Sequence, residues 1–370
     1  MKRGLLAAVF TLAAATVAWT QAYDANTPDG AMVAQIQSES DPAHKQALLE
    51  EFVQKFPSSK QTAWAWGQLQ ADYLKAQQYD KALAAGEKSL AGDPDETEVA
   101  YNNLKAAEAM NDPEAVAKWS AETSKIARKE ASSPTADKAR VDYAKQVDTY
   151  SEYSVFATSL KTTDPAKIVM LMSSLEERNP QSPYLSKGYG RYLNALQQEG
   201  QTEKAAQEAE QELQRDPSNE DVLVFAANYN REKKNDAQAL AYSSKAIEVL
   251  QTKPKPEEIS EADWEKKKQT MLGIAYWTQG ASYNDQKQYA QADKALRQAL
   301  PLTKGDTQLQ PIVLFQLGVA DFELAKTTKS RTMMQDALKF SQQSAAMKSP
   351  VQADAANNVK AISKLAGPHK

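Results

Sequence analysis

The chain has 370 residues, 42% of them hydrophobic, with only 13 glycines and no cysteine. That length can bury a sizeable core, and the missing cysteines exclude a disulfide framework, thiol chemistry and a lipidated-cysteine anchor. A formal charge of −4 argues against a nucleic-acid partner, which needs a basic face; the one basic run, Lys266–Lys268, reads as a solvated helix face.

Lys2 and Arg3 precede an apolar run from Leu5 to Val17, and Thr20-Gln21-Ala22 follows with small residues where a signal peptidase reads. Residues 1–22 are therefore expected to be a cleavable signal peptide of bacterial type, directing export to the periplasm or beyond. The run is too short to cross about 30 Å of hydrocarbon, so no stable membrane anchor is expected after cleavage. Residues 23–30, polar and turn-rich, read as a disordered lead-in.

Ala, Gln, Lys and Glu are abundant and no stretch alternates with a period of two, so helix is expected nearly throughout. A first helix pair reads at Ala31–Gln37 and Pro42–Lys55, closed by Phe56-Pro57. The next carries Trp66, Leu69 and Tyr73 on one helix, Tyr79 at the turn, and Ala82, Ser89, Leu90 and Pro94 on or after the second. Met271–Leu300 repeats the plan, with Gly280 where two helices approach, Tyr283 and Tyr289 beside it, and Ala292, Leu296 and Ala299 opposite.

These residues resemble the tetratricopeptide repeat (TPR), whose signature is an aromatic, Leu-Gly, a Tyr, a small Ala, a bulky residue and a terminal Pro. Ala205 to Ala239 is the family's period of 34 residues. Residues 62–94 depart from the signature at Gln70, where Gly is usual, and Gly86, where a bulky residue is usual. A small packing gap, or a large neighbour such as Trp64, is expected to compensate. The resemblance implies an all-α, right-handed superhelical solenoid of antiparallel helix pairs, about eight pairs with a C-terminal capping helix.

Further along, Tyr101, Leu104, Ala107, Ala115 and Trp119 mark another pair, and 136–180 reads as a diverged pair, with an inserted domain as the alternative. Asp-Pro at Asp41, Asp93, Asp112, Asp164 and Asp216 marks helix boundaries, since Asp caps free N–H groups and Pro suits a first turn or a stop. Pro254 and Pro256 break the chain at 251–262, expected to be a linker between an N-terminal array (31–250) and C-terminal repeats (263–370). Lys326–Arg331 reads as an inserted loop, and Gln352–Leu365 as the cap that the last open face needs.

Chemistry has little to stand on. His44 and His369 are the only histidines, no spacing resembles a metal site, no Gly-rich loop could hold a phosphate, and Glu176/Glu177 read as surface charge. No enzymatic activity and no cofactor are expected. In the TPR fold the first helix of each pair lines the inner surface. That resemblance places Trp64 early in the groove, Asn194, Asn228 and Arg231 in the middle, and Ile274, Trp277, Ile312, Phe315 and Phe322 late. For the late aromatics, core and groove remain two placements. Gly67 and Gly190 stand where the family's carboxylate clamp wants Lys, which argues against such a clamp. The expected function is a non-catalytic envelope scaffold binding a peptide or protein partner, with self-association through an open end possible. The alternative is a cell-wall or carbohydrate binder using surface aromatics.

Overall fold

The computed structural model describes residues 23–257 and 259–366; the signal segment expected at 1–22 lies outside them. They fold as helices alone and divide into two compact units between Glu199 and Gly200. The N-terminal unit holds α1 (Pro28–Ser38), α2 (Pro42–Lys55), α3 (Thr62–Lys75), α4 (Tyr79–Gly92), α5 (Thr97–Met110), α6 (Pro113–Ala131), α7 (Lys138–Lys161), α8 (Pro165–Arg178) and α9 (Pro183–Gln198). The C-terminal unit holds α10 (Thr202–Arg215), α11 (Glu220–Glu232), α12 (Asp236–Thr252), α13 (Glu261–Asp285), α14 (Tyr289–Leu302), α15 (Leu309–Thr328), α16 (Arg331–Ala345) and α17 (Gln352–Ala366).

Local chemistry sets the boundaries. Asp41, Asp112 and Asp164 cap α2, α6 and α8, each accepting a backbone N–H with Pro in the first turn, whereas Asp93 and Asp216 end α4 and α10 with Pro beyond. Within pairs the turn is made by a residue in the left-handed region: Gln77, Asn111, Lys234, Lys287 and Lys329 at φ 54–59°, and Gly200 at φ 73°. This turn folds α4, α6, α12, α14 and α16 back along the helices before them, whereas α1–α2 and α7–α8 are joined through the extended residues Glu39 and Thr162.

Within each unit, sequential helices pack together. First helices also touch the next first helix: α3 with α5, α5 with α7, α7 with α9, and again α11 with α13, α13 with α15, α15 with α17. Among second helices, only α6 and α8 do so. The first helices thus converge on one face of each unit.

The cores confirm the small-to-large logic and correct part of it. A Cβ on Gly280 would stand 2.5 Å from Leu296 Cγ, so the close approach read there is real, and Ala292, Leu296 and Ala299 are fully buried behind it. At Gly86 the compensation comes from Gln70 rather than Trp64. The fully buried Gln70 amide fills the space, donating to Val99 O and to Asn103 Oδ1, both at 2.9 Å, where a Cβ on Gly86 would overlap both amide ends. The gap is filled by a buried hydrogen-bonded pair.

Several boundaries differ from expectation. Residues 23–27 are folded: Tyr23 Oη donates to Gln37 Oε1 at 2.8 Å and Thr27 caps α1. The division between units falls in the α9–α10 turn, inside what reads as one repeat, while 253–260 only separates α12 from α13. Residues 326–328 are the last turn of α15, leaving Lys329 and Ser330 as the connection. The α7–α8 pair continues the rhythm inside the N-terminal unit.

Candidate docking surfaces

In the C-terminal unit the exposed side of α11, α13 and α15 combines apolar and polar groups. Ile274 and Trp277 are half-buried, packed against neighbouring cores. Ile312, Phe315 and Phe322 are also half-buried, and Lys326 Nζ stands 5.1 Å from the Phe322 ring centre. Ile274 and Trp277 thus have one side packed on a core and one side open.

Polar groups gather around Trp277. The Arg231 guanidinium lies 4.8 Å from the indole centre, held there by cation–π attraction. Asn228, one turn earlier on α11, donates to Glu232 Oε1 at 3.0 Å. Asn284, 8% exposed, donates to the Gln316 carbonyl at 3.0 Å and to Gln316 Oε1 at 2.7 Å, tying α13 to α15. Five buried polar atoms here lack a partner: Arg231 Nε, Trp277 Nε1, and the side-chain oxygens Asn228 Oδ1, Asp236 Oδ1 and Asn284 Oδ1. Burial raises Asp285 above its usual range, nearby Asp236 adds to this, and Arg231 and Lys234 oppose it.

The matching side of the N-terminal unit is aromatic. Tyr101 meets Tyr150 edge-on at 5.3 Å, Tyr150 meets Tyr153 at 6.1 Å, and Tyr153 meets Tyr184 at 5.7 Å, with Phe156 stacked on Tyr184 at 6.0 Å. The row crosses α5, α7 and α9. Carboxylates anchor it: Tyr143 donates to Glu98, and Tyr150 Oη donates to Glu108 Oε2 at 2.8 Å. Burial, then those carboxylates, pushes both phenols well above their usual range, and burial chiefly takes Tyr101 to about 12. Lys105 Nζ sits 4.3 Å from the Tyr101 ring centre; burial lowers this lysine while Glu98 and Glu108 support its charge.

The nine expected groove residues fall in both units, Trp64 and Asn194 in the N-terminal one and the other seven in the C-terminal one. Trp64 belongs to the core, 8% exposed among Phe52, Leu69 and Tyr73. The resemblance placed it on the open face, but α3 turns it inward and leaves Trp66, two residues on, half-buried. Asn194 is exposed on α9 in the N-terminal unit and accepts from Gln198 Nε2 at 2.9 Å. Asn228, Arg231 and Trp277 do come together. The tyrosine row, Asn284 and Gln316 were missed, although Tyr143, Tyr150 and Tyr153 recur at helical spacing on α7.

Elsewhere, a cleft of about 540 Å³ between α4 and α6 has Lys118 and Lys129 on its rim, each already paired, with Glu87 and Asp95. Among the described residues, no helix is long and apolar enough to cross a membrane, and no acidic or histidine group could hold a metal.

No family model matches the chain, and neither does any curated protein. Among solved structures it is similar to the crystal structure of the APC/C hetero-tetramer Cut9–Hcn1, at 12% identity and TM-score 0.39, over 90% of this chain and 55% of that one. It is also similar to the crystal structure of the P58(IPK) TPR domain, at 11% identity and TM-score 0.26, over 82% of this chain and 98% of that one. The chain spans about half the length of the first of these. The all-α, paired-helix description rests on the helices themselves.

Proposed function

We propose that this protein is a non-catalytic, exported scaffold of the bacterial envelope that binds a peptide or protein along the first helices of its repeats. The observation that carries this reading is the α11–α13–α15 face, where half-buried apolar side chains stand beside four unpartnered polar atoms of α11 and α13, with Asp236 Oδ1 a fifth at the start of α12. A partner's apolar groups and hydrogen bonds would complete it. A Trp-sized anchor can bury roughly 150–250 Å², worth up to about 4–6 kcal/mol before ordering costs. Two or three anchors suffice for a micromolar interaction, about 8 kcal/mol net.

The test compares wild type with a Trp277→Ala/Phe315→Ala variant of equal helicity, each used to enrich proteins from an envelope extract. A protein retained by wild type and lost from the variant supports the reading; equal retention moves the site off this face. N-terminal sequencing of the exported chain should start at Tyr23, and an intact Lys2 end would remove the export reading.

A second reading, a cell-wall or carbohydrate binder, draws on the tyrosine row with Glu98 and Glu108 beside it. Retention of cell-wall fragments that is lost on Tyr153→Ala/Tyr184→Ala would favour it over the scaffold.

A further inference from the structure

The Arg231 side chain makes no hydrogen bond or ion pair among the described residues, yet it is half-buried, with its guanidinium carbon 4.8 Å from the Trp277 ring centre. Its Nε–H and the indole Nε1–H are both buried N–H groups without an acceptor. They project from α11 and α13, first helices that touch directly. A guanidinium fixed by stacking is prepared for a planar anionic acceptor, because its fork fits the two oxygens of a carboxylate and little freedom remains to be lost. Asp236 and Asp285 stand close enough for Asp285 to respond to both Asp236 and Arg231, though neither pairs with the arginine. Their charges disfavour a dianion such as phosphate and leave the single charge of a carboxylate as the better fit.

The surrounding groups describe the rest of the ligand. Asn228 Oδ1 and Asn284 Oδ1 are unpartnered acceptors on the same two helices, suited to main-chain N–H groups. Ile274 on α13 and Phe315 on α15 supply apolar contact further along the face.

We propose that this face selects extended peptide segments containing an Asp or Glu side chain, whose carboxylate accepts from Arg231 and from the Trp277 indole N–H. The selection rests on the peptide-binding reading above and adds an acidic requirement to it. A free chain terminus is not the recognised group.

The test is an array of randomised 12-residue peptides attached through their C-termini, probed with the purified protein. Bound peptides should be enriched in Asp and Glu. For the strongest binders, replacing the acid by its amide should weaken binding about ten- to a hundredfold, the usual worth of a hydrogen bond to a charged group. Arg231→Gln should abolish the preference between acid and amide, while Arg231→Lys keeps part of it. Trp277→Phe, which retains the ring and removes the N–H, should weaken the acidic peptides several-fold. Binding without acidic enrichment, or equal affinity of wild type for acid and amide peptides, overturns this inference and leaves peptide binding standing. Binders that appear only on an array with free C-termini also overturn it. If neither array binds, both readings fall. The acid-to-amide comparison on wild type needs no variant, so a misfolded Arg231→Gln would not protect the proposal.

Discussion

Gly280→Ala probes the closest helix contact in the C-terminal unit. The new Cβ would fall 2.5 Å from Leu296 Cγ and 2.8 Å from its Cδ2, with the Ala292 carbonyl oxygen at 3.3 Å. Leu296 is fully buried in the cluster with Val313, Leu314 and Leu317 and has nowhere to withdraw. Overpacking of this kind costs about 1–3 kcal/mol, while Ala in place of Gly inside a helix gains about 0.8–1 kcal/mol. The clash wins, and a net loss of about 0.5–2 kcal/mol is expected. Leu296→Ala alone should cost about 2–5 kcal/mol. In that background the Cβ no longer meets a side chain, so Gly280→Ala should cost little or stabilise. The coupling in the double-mutant cycle should reach about 1–3 kcal/mol. Urea unfolding of all four proteins, followed by far-ultraviolet circular dichroism and by tryptophan fluorescence, gives the cycle where the two signals coincide and the slopes agree. Additive effects, or a stabilising Gly280→Ala in wild type, would refute the close-packing account.

Three further expectations follow from other contacts. Asp321 is buried beside Arg297, Asp293 and Asp336, and its pKa rises to about 7, first through burial and then through Asp293, to which a proton on Asp321 can be donated. Because the folded value exceeds the unfolded one, this stabilisation is complete below about pH 4 and is lost as pH rises through about 7. Asp321→Asn should therefore flatten the fall in stability between about pH 4 and 7, and an unchanged profile would refute the assignment. Lys287 sits in the left-handed region at φ 59°; Lys287→Gly should stabilise by about 0.5–1 kcal/mol, and a loss in urea midpoint would count against turn strain. Gln70→Leu strands the Asn103 amide and should cost about 1–3 kcal/mol, with part recovered in Gln70→Leu/Asn103→Leu; equal losses in the single and double variants would refute the pairing.

Much of the fold was legible because its causes are local. Asp-Pro pairs cap or end helices through their own backbone groups, and the spacing of Gly280, Ala292 and Leu296 states which surfaces meet. The unit boundary at Glu199/Gly200 was not, since the turn there uses a left-handed residue as five other helix connections do. The site was less legible than the fold. Periodicity places Trp64 and Trp277 on helices but does not say which ring stays open: Trp64 lies beneath neighbouring chain and Trp277 beneath a single arginine. The unpartnered atoms of Asn228, Asp236 and Asn284 depend on side-chain directions in space, for which the sequence carries no marker.

The exchange at Gln70 and Gly86 bears on how repeats are recognised at all. The pattern expects small then large at these positions; this chain has large then small, and the interhelical volume stays filled. Judged column by column, the unit shows two errors. Judged as a pair, it shows one conserved sum, with the bulk supplied from the opposite helix. Any comparison that scores positions independently will undervalue such a repeat, and one that scores facing positions jointly would restore it.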